Sequence, residues 1–237
     1  MNWAGPAMRS SGWKKLVFEL TSQWAVPIRL PVRCEDRKYQ PMTKNMIVYL
    51  IGFPGSGKLT VARELARLLP SIVVDNHFVN NVIFSLIDPD GRSKLPQSVW
   101  VNVRKVREAV FDTIQHLSKP DRNFILTNAL IDGLEADRRC FEEVQALARA
   151  RGAKFHVFRL LVSTDELCRR IASSGRAELF KEIDVDAAKE RAETEDVFVP
   201  KECPYTDLDT TSMSASECAS EIMSKIRVGD ICDHGST

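Results

Sequence analysis

Between Met46 and Leu69 the chain passes from an unbroken apolar run, Met46-Ile-Val-Tyr-Leu-Ile51, through the turn Gly52-Phe-Pro-Gly-Ser-Gly-Lys58 into a helical period over Leu59–Leu69. Few local patterns restrict a fold so strongly. An apolar run with no polar alternation expects cover on both faces, which is the environment of a parallel strand. A turn of this composition lets backbone N–H groups converge on an anion, because glycine leaves the approach unblocked and accepts unusual dihedrals. The helix beyond it aims unpaired N–H groups and its positive dipole end at the same point. Strand, glycine-rich turn and helix in this order predict a phosphate-binding loop for a nucleoside triphosphate, ATP. Gly52, Pro54, Gly55, Ser56 and Gly57 shape that loop, Lys58 brings a full charge to the β- and γ-phosphates, and Leu59 and Thr60 open the helix.

One position departs from the usual pattern. A hydroxyl normally follows the lysine and ligates Mg²⁺, whereas here Leu59 stands there and the hydroxyl comes one residue later, at Thr60. One helical step turns a side chain by about 100°. Thr60 is therefore expected to meet the α-phosphate rather than the metal. Mg²⁺ would be held by phosphate oxygens, by water and, through water, by Asp75, a mode that suits an ion which readily keeps its waters.

Beyond the loop, β-rich runs alternate with helical periods, the signature of an α/β domain. Ser71–Asp75 reads as a second strand ending in a carboxylate, Asn123–Asn128 as a third, Phe155–Val162 as a fourth and Asp207–Thr211 as a fifth. A helix over His77–Ile87 carries Phe78, Val82, Ile83, Leu86 and Ile87, and Asp88-Pro-Asp-Gly91 signals a turn. From Pro96, the residues Trp100, Val103, Val106, Val110, Ile114 and Leu117 recur at helical spacing. Further helices are expected over Glu135–Arg151, after a cap at Thr164 or Asp165, and over Ser214–Ile226, with a frayed tail beyond Gly229.

Residues 1–44 read as a flexible extension rich in tryptophan, proline and basic residues, without the apolar centre of a secretory signal. The folded domain is expected over residues 45–228. A net charge of +1 counts against a broad nucleic-acid footprint. The six cysteines form no C-x-x-C pair, which fits a reducing cytoplasm better than a disulfide framework. No apolar run reaches the length of a membrane span.

The order strand, glycine-rich loop, helix, strand ending in Asp, helices, strand, arginine-rich segment and terminal strand resembles the small P-loop kinases. Shikimate kinase, gluconate kinase and chloramphenicol phosphotransferase share the layout. More closely, Gly-Lys-Leu-Thr (57–60) and Asp-Asn-His-Phe-Val-Asn-Asn (75–81) are similar to an uncharacterised bacterial group of kinase-like ATPases. The resemblance covers about residues 46–226. It implies a three-layer α/β P-loop fold, with a parallel five-stranded sheet flanked by helices and a small lid over about residues 173–199. It also implies that Asp75 faces the acceptor hydroxyl and that Arg169, Arg170 and Arg176 belong to a lid closing over the phosphates, with Arg170 and Arg176 acting in catalysis beside Lys58. Asn76, His77, Arg107 and Asn128 are candidates for the acceptor side, and Arg104, Asn80 and Asn81 weaker ones.

Three readings follow. The leading one is an ATP-dependent kinase of a small hydroxylated molecule. Leu59, and the lack of an acid at Asn128 where many P-loop proteins organise their metal, motivate a nucleotide-binding sensor with little transferase activity. A kinase of nucleic-acid 5′-hydroxyls is opposed by the neutral charge and the absence of an aromatic-basic stripe.

Overall fold

The computed structural model describes residues 44–90, 93, 95–173 and 184–234. Five parallel strands make one sheet: β1 Met46–Ile51, β2 Ser71–Asp75, β3 Asn123–Asn128, β4 Lys154–Leu161 and β5 Tyr205–Asp209, in the order β2-β3-β1-β4-β5. Around it lie α1 Lys58–Leu68, α2 Asn76–Ile87, α3 Gln97–Asp112, α4 Glu135–Arg151, α5 Thr164–Ile171, α6 Val185–Thr194 and α7 Ala215–His234. A π-helical turn, Thr113–Leu117, continues α3.

The apolar run of β1 lies at the centre, with all six of its residues buried. Because successive side chains point to opposite faces, β1 feeds two cores. Met46, Val48 and Leu50 pack with Val61 and Leu65 of α1 and with Ile222 and Met223 of α7. Ile47, Tyr49 and Ile51 pack with Phe141, Val144 and Leu147 of α4. Helices therefore cover the sheet on both sides, and the architecture is the three-layer α/β fold. A smaller third core joins Val79 and Phe84 of α2 to Val99 and Val103 of α3.

Several elements differ in detail from the pattern reading. Helix α5 is capped by Ser163, whose side chain accepts from the Glu166 N–H, not by Thr164 or Asp165. Strand β5 begins two residues earlier than expected, because its pairing with β4 sets Val157 opposite Tyr205. Helix α6 was not legible in the polar stretch that contains it. Its Ala188 is buried, and Val197 and Phe198 just beyond it also belong to the core. Leu117 is 77% exposed although it matched the helical period, since the π turn rotates it off the covered face. Helix α7 runs on to His234, past Ile226 where the periodicity ends.

The register assembles the site. Asp75 pairs with Thr127, and Ile51 with Asn128, so the loop after β1 and the ends of β2 and β3 reach the same edge of the sheet. Beyond β1 the order changes sides, from β3 to β4. Such crevices at strand C-termini are where α/β folds bind ligands.

Candidate functional site

The glycine-rich turn forms a tight loop backed by α5 and β4. Gly55 has φ +93°, and a Cβ there would lie 2.8 Å from Ile171 Cγ1 and 2.9 Å from Leu167 Cδ1. Only glycine satisfies both the dihedral and the space. At Gly52 a Cβ would come within 2.6 Å of the Leu160 carbonyl. Gly57 is the N-cap of α1 in a left-handed conformation, and the first helical bond runs from the Val61 N–H to its carbonyl. The first turn of α1 thus presents N–H groups that the helix itself cannot satisfy. No acidic residue stands in that turn to neutralise them.

Lys58 folds back over the loop. Its Nζ donates to the Gly52 carbonyl at 2.9 Å and the Phe53 carbonyl at 2.7 Å, and lies 3.4 Å from Ser56 Oγ. Ser56 itself is buried. Leu59 is half-buried and Thr60 exposed on the first turn of α1.

Asp75 ends β2 in an extended conformation and occupies the N-cap position of α2, yet its side chain makes no capping bond to that helix. Its Oδ1 instead accepts a 2.5 Å hydrogen bond from Thr127 Oγ1, and its Oδ2 lies 3.5 Å from His77 Nδ1. Thr127 also accepts from the Asn76 N–H at 3.3 Å, and Asn128 Nδ2 reaches Asn76 Oδ1 at 3.4 Å. Asp75, Asn76, Thr127 and Asn128 are therefore one hydrogen-bonded group on the sheet edge, with the His77 ring beside it.

The arginines divide. Arg170 of α5 donates from Nη1 to the Ser56 carbonyl at 3.2 Å, from Nη2 to the Thr210 carbonyl at 2.7 Å, and from Nε to Glu166 at 2.7 Å. It lies under the loop and ties it to the segment after β5. Arg169 is exposed and pairs with Glu166. Hydrogen bonds from Arg169 and then Arg170 hold the Glu166 carboxyl down at about 2. Arg107 pairs with Glu143 of α4 at 2.7 Å and is largely covered, while Arg104 faces Glu108 along its own helix. Arg107 is thus engaged by a structural ion pair rather than joined to the Asp75 group. Arg176 and the rest of residues 174–183, part of the expected lid, lie outside the described residues, as does the extension before Lys44.

Thr127, Thr210 and Glu166 were absent from the sequence reading. Thr127 could have been found only from the register that sets it opposite Asp75. A cavity of about 250 Å³ lies elsewhere, lined by Leu134, Phe141, Phe198 and Pro200 among others, and includes none of the loop residues. The loop and the Asp75 group lie instead at the sheet edge where β1, β2 and β3 end. Among the described residues, no three His, Cys, Asp or Glu side chains gather as a metal site. The fit to Mg²⁺ is accordingly to an ion carried largely by phosphate oxygens and water, with Asp75 the one carboxylate in the hydrogen-bonded group at the sheet edge.

A parallel sheet in the order β2-β3-β1-β4-β5, with a glycine-rich loop after β1 and a carboxylate after β2, defines a P-loop kinase-like fold. The family described as an AAA domain matches residues 47–196, and the chain belongs to it. Among solved structures, a gluconokinase from Sinorhizobium meliloti 1021 is 13% identical, covering 82% of this chain and 99% of that one with a TM-score of 0.52. A thymidylate kinase from Candida albicans is 15% identical, covering 79% and 93% with a TM-score of 0.53. A Chloroflexus aurantiacus protein described provisionally as a kinase is 17% identical, covering 79% and 99% with a TM-score of 0.53. No curated protein sequence matches significantly. The expected resemblance to small P-loop kinases holds at the level of fold.

Proposed function

We propose that the chain binds ATP in the Gly52–Lys58 loop and transfers its γ-phosphate to a hydroxyl of a small molecule held beside Asp75. The observation that carries the reading is the pairing of a phosphate-type loop with a carboxylate oriented by Thr127 on the adjoining strand ends. The N–H groups of Gly55, Gly57, Lys58 and Leu59 would take the phosphate oxygens, with the Ser56 N–H closing the loop onto the Phe53 carbonyl at 3.1 Å, Pro54 stiffening the loop and Thr60 at the α-phosphate. Lys58 would exchange its loop carbonyls for the β- and γ-phosphates. Arg170 would act through the loop, holding the Ser56 carbonyl turned away from the anion, and Arg176 would bring charge from the lid.

In the transfer, the acceptor oxygen forms a bond to the γ-phosphorus as the bond to the β-phosphate oxygen breaks, releasing ADP. The acceptor proton passes to Asp75 late in the step. His77, Asn76 and Asn128 would line the acceptor side. Mg²⁺, when bound with the nucleotide, would neutralise charge on the β- and γ-oxygens. No described helix is long and apolar enough to cross a membrane, and scattered cysteines fit a cytoplasmic setting.

The test is ATP turnover by the full chain against a panel of hydroxylated metabolites. Asp75→Asn should lower turnover at least about a hundredfold, within the range general-base catalysis supplies, while ATP still binds. Full turnover in that variant would remove Asp75 from the mechanism.

Leu59 favours a second reading, a nucleotide sensor. It predicts ATP binding indifferent to Mg²⁺ and no turnover with any acceptor.

A further inference from the structure

Between α4 and the segment that follows α6 lies the cavity of about 250 Å³ that the phosphate loop does not enter. Asp75, Asn76, His77 and Asn128 are also absent from its lining, so the proposed transfer leaves it unused. Backbone hydrogen bonds fix one wall. Ile131 and Val197 form an antiparallel bridge, the Phe198 N–H donates to the Leu130 carbonyl at 3.0 Å, and the Asp132 N–H donates to the Asp196 carbonyl at 2.8 Å. Asp137 of α4 accepts from the Ile131 N–H at 2.8 Å, which fastens this two-stranded strap to the helix. A recess built in this way is formed before any ligand arrives, and entry costs little ordering.

The lining divides by chemistry. Phe141 and Phe198 make an aromatic floor, with ring centroids 5.1 Å apart, and Leu134 and Pro200 stand beside them. The rim carries four carboxylates, those of Asp132, Glu135, Glu142 and Glu202, against two cations, Arg138 and Lys201. One of those cations is already taken up by its own helix, since Arg138 bonds Glu135 through Nε and Nη2 and Glu142 through Nη1. The cavity therefore joins an apolar floor to a rim with a surplus of negative charge.

We infer that this cavity binds a small organic cation with an aromatic body. The floor takes the body by burial of apolar surface, and a cationic group near a ring face is attracted by the ring quadrupole. The surplus of rim carboxylates favours the same cation and repels an anion of like shape. At the packing density of a protein interior the volume admits roughly a dozen non-hydrogen atoms. That suits an aromatic amine, whereas a nucleoside triphosphate is too large and has the wrong charge. The inference does not rest on the kinase reading, because the cavity shares no lining residue with the loop.

Isothermal titration of the full chain at neutral pH with tryptamine tests this, beside tryptophol and indole-3-propionate, which carry a hydroxyl or a carboxylate in place of the ammonium. Tryptamine should bind one-to-one with a Kd of roughly a millimolar or tighter. It should bind at least about tenfold more tightly than indole-3-propionate, with tryptophol between them. Glu142→Lys combined with Glu202→Lys, both at exposed positions, should remove or reverse that preference with an unchanged circular dichroism spectrum. Lys58→Ala should leave tryptamine binding as it is in the parent chain, whatever it does to ATP. No binding of tryptamine, equal binding of indole-3-propionate, a preference untouched by the charge reversal, or loss of tryptamine binding in Lys58→Ala would each overturn the proposal.

Discussion

An aspartate where a strand end meets a helix start can serve as a helix cap or as a reacting carboxylate, because Asp is favoured at N-caps and α/β folds bind ligands at strand ends. At Asp75 the side chain turns to Thr127 rather than to the helix it precedes, so it does not act as a cap. Thr127 is itself almost wholly buried and both donates to Asp75 and accepts from the Asn76 backbone. Its proposed role is to fix the carboxylate, so its loss should be felt in turnover rather than in nucleotide binding. Thr127→Val should lower turnover about tenfold, on the order of one charged hydrogen bond, at unchanged ATP affinity, and Thr127→Ser should restore most of it. Steady-state kinetics beside a binding titration separates the outcomes; an equal fall in ATP affinity would make the threonine merely structural. The loop was legible residue by residue because its composition is forced by close approach, as at Gly55. Thr127 was not, since one threonine in an apolar strand carries no mark until its partner strand is known.

At the scale of elements, strands β1 to β4 and the helices α1, α2 and α4 followed from apolar period and turn chemistry. The misses have local causes. Helix α6 hides in a charged stretch because it buries little, Ala188 being its one buried side chain. Leu117 looked like core because a regular helix was assumed through a π turn. Helix α5 shows what an amphipathic reading cannot supply, namely which way its arginines reach. Its Arg170 braces the phosphate loop while Glu166 holds Arg169 and Arg170 together. Since the Glu166 carboxyl is depressed from 4.5 to about 2 in the fold, its contribution is full above about pH 4.5 and is lost as pH falls toward 2. Thermal melts should therefore show a parent chain losing stability through that window. Glu166→Gln should lose less there, and an identical acid profile in both would contradict the role given to the pair.

For the whole molecule, the two-sided burial of β1 sets both the layers and the stability. Ile47, Tyr49 and Ile51 serve one core, and Met46, Val48 and Leu50 the other. One polar atom interrupts this. The Tyr49 hydroxyl is buried without a hydrogen-bond partner among the described residues, and burial raises its pKa. An unsatisfied buried hydroxyl costs stability, while the ring is held by Phe141 and Phe155, with centroids 5.8 and 6.3 Å away. Tyr49→Phe should leave stability unchanged or raise it by about 1 kcal/mol in denaturant unfolding. A clear loss would reveal a partner for that hydroxyl. At this scale the α/β class and the parallel sheet were readable from element order, but the proposed acceptor was not, because a pocket assembled from several helices depends on a convergence that no linear pattern encodes.

In the proposed function the loop after β1 binds ATP and Lys58 contributes to the binding. Isothermal titration of the full chain with a non-hydrolysable ATP analogue, with and without Mg²⁺, tests it most directly. Binding should be saturable and one-to-one, and Lys58→Ala should weaken it at least about tenfold, as expected for loss of a charged phosphate contact. Because Leu59 removes the usual metal hydroxyl, withdrawal of Mg²⁺ should weaken binding less than Lys58→Ala does. Absence of binding by the parent chain, or equal affinity in Lys58→Ala, would contradict it.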